Sequence, residues 1–235
     1  MSLPPDFNIS KGAVLHDDYA YDWSNNYLRY GYLMRLNFFK KHIRTYVIKG
    51  TFWLDAGCGS GVISRVLSSL GAKVVGVDGS PNMIAAANLE SKNLDLDLQF
   101  KIIDTIESLN EMDQCYDGVL CSSVIEYVDY PDRAFKEFFR VTKPGGILLV
   151  SVPNTYSLIR VLQHSIRAIG SLFRKNYYNY LSVSRHHYTS TKIKNELINS
   201  GFIIDRIDYF DPLFFSLTKY LRFGTLLLIT AHKSK

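Results

Sequence analysis

Short runs rich in β-branched and aromatic residues alternate along the chain with stretches whose apolar positions recur every three to four residues. That alternation predicts strands joined by amphipathic helices. "TFWLDA" reads as a first strand, and "GVISRVLSSLG" as a helix stopped by Gly71. "AKVVGVD" is a second strand. The helix "SPNMIAAANLES" follows, with Ser80 as N-cap and Pro81 in the first turn, where its missing N–H costs nothing. "LQFKIID" and "YDGVLCSSV" are the third and fourth strands, "PDRAFKEFFRVT" a helix, "KPGG" a turn and "ILLVSVPN" a fifth strand. Helical crossovers of this length imply a parallel sheet with helices on both faces.

After Thr155 the pattern changes. "SRHHYTSTKIKNELINSGF" reads as a loop and a helix ended by Gly201. "IIDRIDYF" and "TLLLITAHK" are two strands with no helical crossover between them, so an antiparallel pairing is expected. Upstream of the first strand, "NNYLRYGYLMRLNFFKKHIRTYVI" is helical, and residues 1–49 are expected to form a helical cap. The expected organisation is one domain, a body over 50–235 carrying an insertion at 155–188.

Composition excludes little. The chain has 235 residues, 47% of them hydrophobic and 21% charged, ordinary for a globular protein. No apolar run reaches the roughly 18 residues of a spanning helix. The start, "MSLPPDFNIS", has no basic-then-apolar signal pattern, and its first residues read as an added leader. Cys58, Cys115 and Cys121 have no CxxC spacing, which leaves reduced thiols and a cytoplasmic location as the expectation.

Charge is unevenly placed. Residues 1–155 hold 15 Lys/Arg against 18 Asp/Glu, and residues 156–235 hold 12 against 4. Between Glu137 and Glu196 there is no acid and there are nine Lys/Arg. Such a block suits either an anionic neighbour or a solvated basic face.

The chemistry gathers at "LDAGCGSG". Gly57, Gly59 and Gly61 follow the first strand, where bare backbone lets a ligand approach. A dinucleotide fingerprint wants GxGxxG, but here the third glycine comes one place early and Val62 holds the position that fingerprint needs. Asp55 would also repel a pyrophosphate. A ligand carrying an ammonium and a sulfonium has the opposite preference.

With its glycines and strand-end acids, the chain resembles the class I S-adenosylmethionine-dependent methyltransferases over about residues 50–155. The resemblance implies a Rossmann-like, doubly wound, mostly parallel seven-stranded sheet with the last strand antiparallel. It implies S-adenosylmethionine as cofactor, with S-adenosylhomocysteine as product. Asp78 would meet the ribose hydroxyls and Asp104 the adenine amino group, with Met83 and Ile106 flanking the adenine ring. Ser122 and Ser123 would lie beside the methionine end. The implied cofactor set is Asp55, Gly57, Cys58, Gly59, Asp78, Gly79, Met83, Asp104, Thr105, Ile106 and Ser122. Cys58 and Trp53 read equally as packing residues.

Within the family, the ubiquinone-biosynthesis O-methyltransferases look closest around the fourth strand. Their Glu-x-x-Glu-His-Val pattern holds a divalent metal, and laid on "SVIEYV" it places Ser123, Glu126 and Tyr127 at the ligand positions. Only Glu126 matches, so no metal is expected. Tyr127 and His187 remain as candidate bases, and a surface or capping role is open for His186 and His187. Tyr21, Trp23 and Tyr27 are candidates for a lid over the methionine moiety, or for a helix packed on the sheet edge.

On a helical wheel, Tyr156 to Lys175 sets Leu158, Leu162, Ile166, Ile169 and Phe173 on an apolar half opposite Arg160, His164, Arg167, Arg174 and Lys175. This is the pattern of an interfacial helix on anionic lipid, and equally of a lid with a solvated basic back. The stretch Phe210 to Gly224 points the same way. Nucleic acid ranks below both, because "CSSV" lacks the Asn/Asp-Pro-Pro-aromatic motif of amino-methylating nucleic-acid enzymes. The function expected is methyl transfer to a small, lipophilic acceptor at oxygen, in the cytoplasm with peripheral membrane contact. A nicotinamide-dependent oxidoreductase and a non-catalytic cofactor-binding protein are the alternatives.

Overall fold

Seven strands run in the order β3-β2-β1-β4-β5-β7-β6. They are β1 (Phe52–Ala56), β2 (Lys73–Asp78), β3 (Leu98–Ile102), β4 (Tyr116–Ser122), β5 (Thr142–Pro153), β6 (Ile203–Phe210) and β7 (Leu226–His232). The helices are α1 (Tyr30–Tyr46), α2 (Val62–Ser69), α3 (Pro81–Ser91), α4 (Pro131–Val141) and α5 (Ser190–Asn199). This computed structural model describes residues 20–21, 25–26, 30–157, 159, 184–212 and 224–235.

Strands β1 to β5 pair in parallel, while β7 is antiparallel to both β5 and β6. The order reverses between β1 and β4. In a doubly wound sheet that reversal opens a crevice at the carboxyl ends of the two strands.

Side-chain alternation builds a core on each face. Trp53, Leu120 and Leu149 point to one side, against Leu36, Phe39 and Ile43 of α1 and Ile63 and Leu67 of α2. Leu54, Val119, Cys121, Leu148 and Val150 point to the other, against Phe135 and Phe138 of α4 and Ile193 and Leu197 of α5. Helix α1 is therefore part of the body: Phe39 and Ile43 are fully covered, and His42 Nε2 reaches Asp208 Oδ2 of β6 at 3.1 Å.

The helix ends follow their sequence signals. Ser80 accepts the Met83 N–H at the start of α3, and Thr189 accepts the Lys192 N–H at the start of α5. Gly71 and Gly201 follow α2 and α5 with positive φ. The expected "KPGG" turn differs. It lies inside β5, where the pairing with β4 shifts register between Tyr116 and Gly118, so the turn residues form a bulge rather than a connection. Residue 158 and residues 160–183, most of the basic segment, lie outside the described residues, as do Trp23, Tyr27 and residues 213–223.

Candidate active site

The glycine turn joins β1 to α2 at the reversal. Gly57, Gly59 and Gly61 have φ of 76°, 53° and 75°, all in the left-handed region that side chains disfavour. Space excludes side chains as well. A Cβ on Gly57 would come within 2.2 Å of Val124, and one on Gly61 within 2.6 Å of the Phe100 ring. The turn is tied to β2, because Gly57 N–H and Cys58 N–H both donate to Val77 O, at 2.8 and 2.9 Å. Gly61 also begins α2 with no side chain capping the helix.

Asp78 ends β2 and braces this turn. Its Oδ2 accepts Gly59 N–H at 2.8 Å, and its Oδ1 accepts Ser80 N–H at 2.9 Å. One carboxylate thus holds the two loops that flank the crevice.

Asp55 stands two residues before the turn, as the sequence places it, and is buried there. It lies within β1, 1% exposed, and its Oδ2 accepts the Ser64 hydroxyl of α2 at 2.6 Å. Burial pushes its carboxyl up to about 7, against the Ser64 hydrogen bond, while the neighbouring charge of Asp78 adds to the rise. Cys58 is held well above the ordinary thiol range, first by burial and then by the charges of Asp78 and Asp55.

The remaining predicted residues divide. Met83 is buried with Ala86 and Ala20, which brings the residues before α1 against the start of α3. Ile106 is buried, and Thr105 accepts Glu107 N–H within the same loop. Gly79 is half-buried between Asp78 and Ser80, and Asp104 is exposed beyond β3. Tyr21, a candidate either for a lid over the methionine moiety or for a helix packed on the sheet edge, is 61% exposed.

At the end of β4 the sequence missed a contact. Arg35 of α1 donates from Nη2 to Ser122 Oγ at 2.8 Å and to Ser123 Oγ at 2.9 Å. Ser123 has φ 56°, and its N–H reaches Ser151 O and Oγ of β5. Nothing in the helical pattern of "YGYLMRLNFFKK" marks that arginine. Glu126 is buried, with its Oε2 accepting the Ser184 hydroxyl at 2.9 Å. Arg185 N–H donates to Glu126 O, and His186 Nε2 donates to Val128 O at 2.9 Å. These bonds bring the segments of Tyr127 and His187 together, both side chains half-buried and both engaged. Among the described residues, no three His, Cys, Asp or Glu side chains gather as a metal site.

Residues 54–150 match the methyltransferase domain family. The rat mitochondrial ubiquinone biosynthesis O-methyltransferase is 36% identical over 118 residues, 49% of this chain and 34% of that protein. The Coxiella burnetii ubiquinone biosynthesis O-methyltransferase is 34% identical over 157 residues, 64% of this chain and 65% of that one.

Residues 54–150, which hold the glycine turn and Asp78, are thus similar to a methyltransferase domain.

The likeness of fold extends further than those matches. The structure of magnesium protoporphyrin IX methyltransferase from Synechocystis, with bound S-adenosylhomocysteine, superposes with a TM-score of 0.71 at 19% identity, covering 94% of this chain and 98% of that one. The chain spans about a third of the rat relative and somewhat under two thirds of the Coxiella one. The glycine turn without room for a Cβ, Asp78 at the end of β2 and the buried Met83 and Ile106 fit a nucleoside cofactor.

Proposed function

We propose that this methyltransferase moves the methyl group of S-adenosylmethionine to an oxygen of a small, lipophilic acceptor. The observation that carries the donor half is the Gly59–Asp78 bond, which sets a hydrogen-bond-accepting carboxylate beside bare backbone at the reversal of strand order. The acceptor half rests on the two relatives, both named for O-methylation in ubiquinone biosynthesis.

In this reading Asp78 holds the ribose hydroxyls, Asp104 the adenine amino group, and Met83 and Ile106 the adenine faces. Gly57, Cys58, Gly59, Gly79, Thr105 and Ser122 line the same ligand, and Asp55 lends negative charge from beneath. The bound cofactor supplies a methyl carbon on cationic sulfur, ready for in-line displacement. The chain's work is then to align the acceptor oxygen and exclude water. Tyr127 and His187, on adjoining segments, are the candidate groups to take the acceptor's proton. The sequence pattern of residues 156–175, most of which lie outside the described residues, suits contact with anionic lipid and so a lipophilic acceptor. No helix among the described residues is long and apolar enough to cross a membrane.

Calorimetric titration with S-adenosylmethionine and with NADH tests the donor. Tight NADH binding with no response to the methyl donor would end the reading. Labelled-methyl transfer into lipid and small-molecule extracts tests the acceptor, and label recovered on nitrogen or carbon would remove the oxygen assignment.

A further inference from the structure

We propose that Glu107 is a positioning residue through which an occupied adenine pocket fixes the loop carrying Tyr127 on the acceptor side. This rests on the reading of residues 104–106 as the adenine side of the site. It goes beyond that reading by joining the donor half of the crevice to the acceptor half.

Glu107 lies in the loop after β3, half-buried, directly beyond the buried Ile106. Its N–H donates to Thr105 Oγ1 at 3.1 Å, so Thr105, Ile106 and Glu107 form one tight turn. Its carboxylate crosses to the loop after β4. There Oε1 accepts Asp129 N–H at 2.8 Å and Tyr130 N–H at 3.1 Å. These are the last residues before α4, whose own cap position, Tyr130, offers no side-chain bond and whose first residue is Pro131. Glu107 therefore caps α4 from another loop, with its negative charge at the helix's positive end. Both bonds are assisted by that charge.

The same two amides end the loop that carries Tyr127. Glu126 O and Val128 O, on either side of Tyr127, accept from Arg185 N–H at 2.8 Å and from His186 Nε2 at 2.9 Å. The Asp129 side chain pairs with Arg185 while its N–H goes to Glu107. Asp129 is thus held from both sides, by the adenine loop and by the segment leading to His187. The far end of the adenine loop rests on α4 as well. Leu109 N–H donates to Glu137 Oε2 at 2.7 Å, and Arg140 Nη2 donates to Leu109 O at 2.9 Å. Ordering Thr105 and Ile106 around a ligand therefore steadies Glu107, then the start of α4, then the loop of Tyr127. Coupling of this kind passes through contiguous bonded elements. A competing route exists, because Val124 of the same loop lies against Gly57.

The test follows amide hydrogen exchange by NMR on the full chain, free and saturated with S-adenosylhomocysteine. Asp129 and Tyr130 are exposed, so the Glu107 carboxylate rather than burial governs their amides. Saturation is expected to slow both by about fivefold or more in the parent, and likewise in Glu107→Gln, whose amide oxygen still accepts them. In Glu107→Ala the slowing at 129 and 130 is lost, while the amides of Gly57 to Gly61 still slow and so report a folded, loaded chain. The proposal falls if S-adenosylhomocysteine binds the parent without slowing Asp129 and Tyr130, a result that needs no variant. It falls too if Glu107→Ala slows them as the parent does, which would assign the coupling to Val124 and Gly57. Both results leave the cofactor reading standing. A parent whose glycine turn ignores S-adenosylhomocysteine would overturn that reading, and the proposal with it.

Discussion

Gly59 donates its backbone N–H to Asp78 Oδ2 across 2.8 Å, so the loop after β1 and the loop after β2 share one carboxylate. The second oxygen is taken by Ser80 N–H, which means the acid braces the site before any ligand arrives. Asp78→Asn keeps the shape but turns an amide donor toward one of two N–H donors. Hydrogen bonds to a charged group are worth about 1.5–3 kcal/mol. Affinity for S-adenosylhomocysteine is therefore expected to fall about tenfold to a hundredfold, read by calorimetry. Unchanged affinity would mean that Asp78 only braces the loops.

Gly57 illustrates a steric requirement. Its φ of 76° and the 2.2 Å approach of a built Cβ to Val124 oppose any side chain. Gly57→Ala combines left-handed strain with overpacking, for an expected cost of about 2–5 kcal/mol in denaturant unfolding. Adding Val124→Ala removes the collision but not the strain, so the double variant should recover part of the loss. Full recovery would show that sterics alone keep the glycine there.

The fold was legible because its signals are local. Apolar periodicity separated strands from helices, and Gly71, Ser80 and Gly201 each mark a helix end that the structure has. The antiparallel pairing of β6 and β7 followed from their missing crossover. "KPGG" misled because turn residues also suit a bulge, and only the pairing partner β4 distinguishes the two. Of the candidate site, the glycine turn from Gly57 to Gly61 and the strand-end acid Asp78 that braces it were legible. Arg35 was not, because a cation on a helix carries no local mark of the strand end 87 residues away in sequence that it reaches. Asp55 was legible as an acid but not as a buried one, since its cover comes from Ser64 on the next helix.

Glu126 and its neighbours bear on the metal question. Its carboxylate is buried and accepts the Ser184 hydroxyl, while Ser123 is clasped by Arg35 and Tyr127 is a phenol. A hard divalent cation needs several charged or carbonyl oxygens, and this set offers one carboxylate turned to another task. Transferase activity is expected to survive exhaustive chelation with EDTA. Glu126→Ala would leave the Ser184 hydroxyl without its acceptor, at a cost of about 1–3 kcal/mol in unfolding experiments. Activity that vanished on chelation and returned with magnesium would place a cation here after all.

The buried acid gives the site a pH response whose sign can be worked out. Asp55 titrates at about 7 in the folded chain, raised first by burial. An unfolded aspartate titrates near 4, so between those values the folded state holds a proton that the unfolded state has lost. The contribution is fully present below about pH 4, is lost as pH rises toward 7 and is flat above, a fall on the order of 4 kcal/mol for this fully buried group. Urea unfolding at several pH values should show that slope in the parent and lack it in Asp55→Asn. Ligand binding reverses the preference. A sulfonium and an ammonium favour the ionised carboxylate, so S-adenosylmethionine must displace the proton below pH 7. Its affinity should climb with pH up to about 7, by at most about tenfold per pH unit, and then level off. An affinity that is flat across that range would detach Asp55 from the cofactor's charge and leave it a core residue.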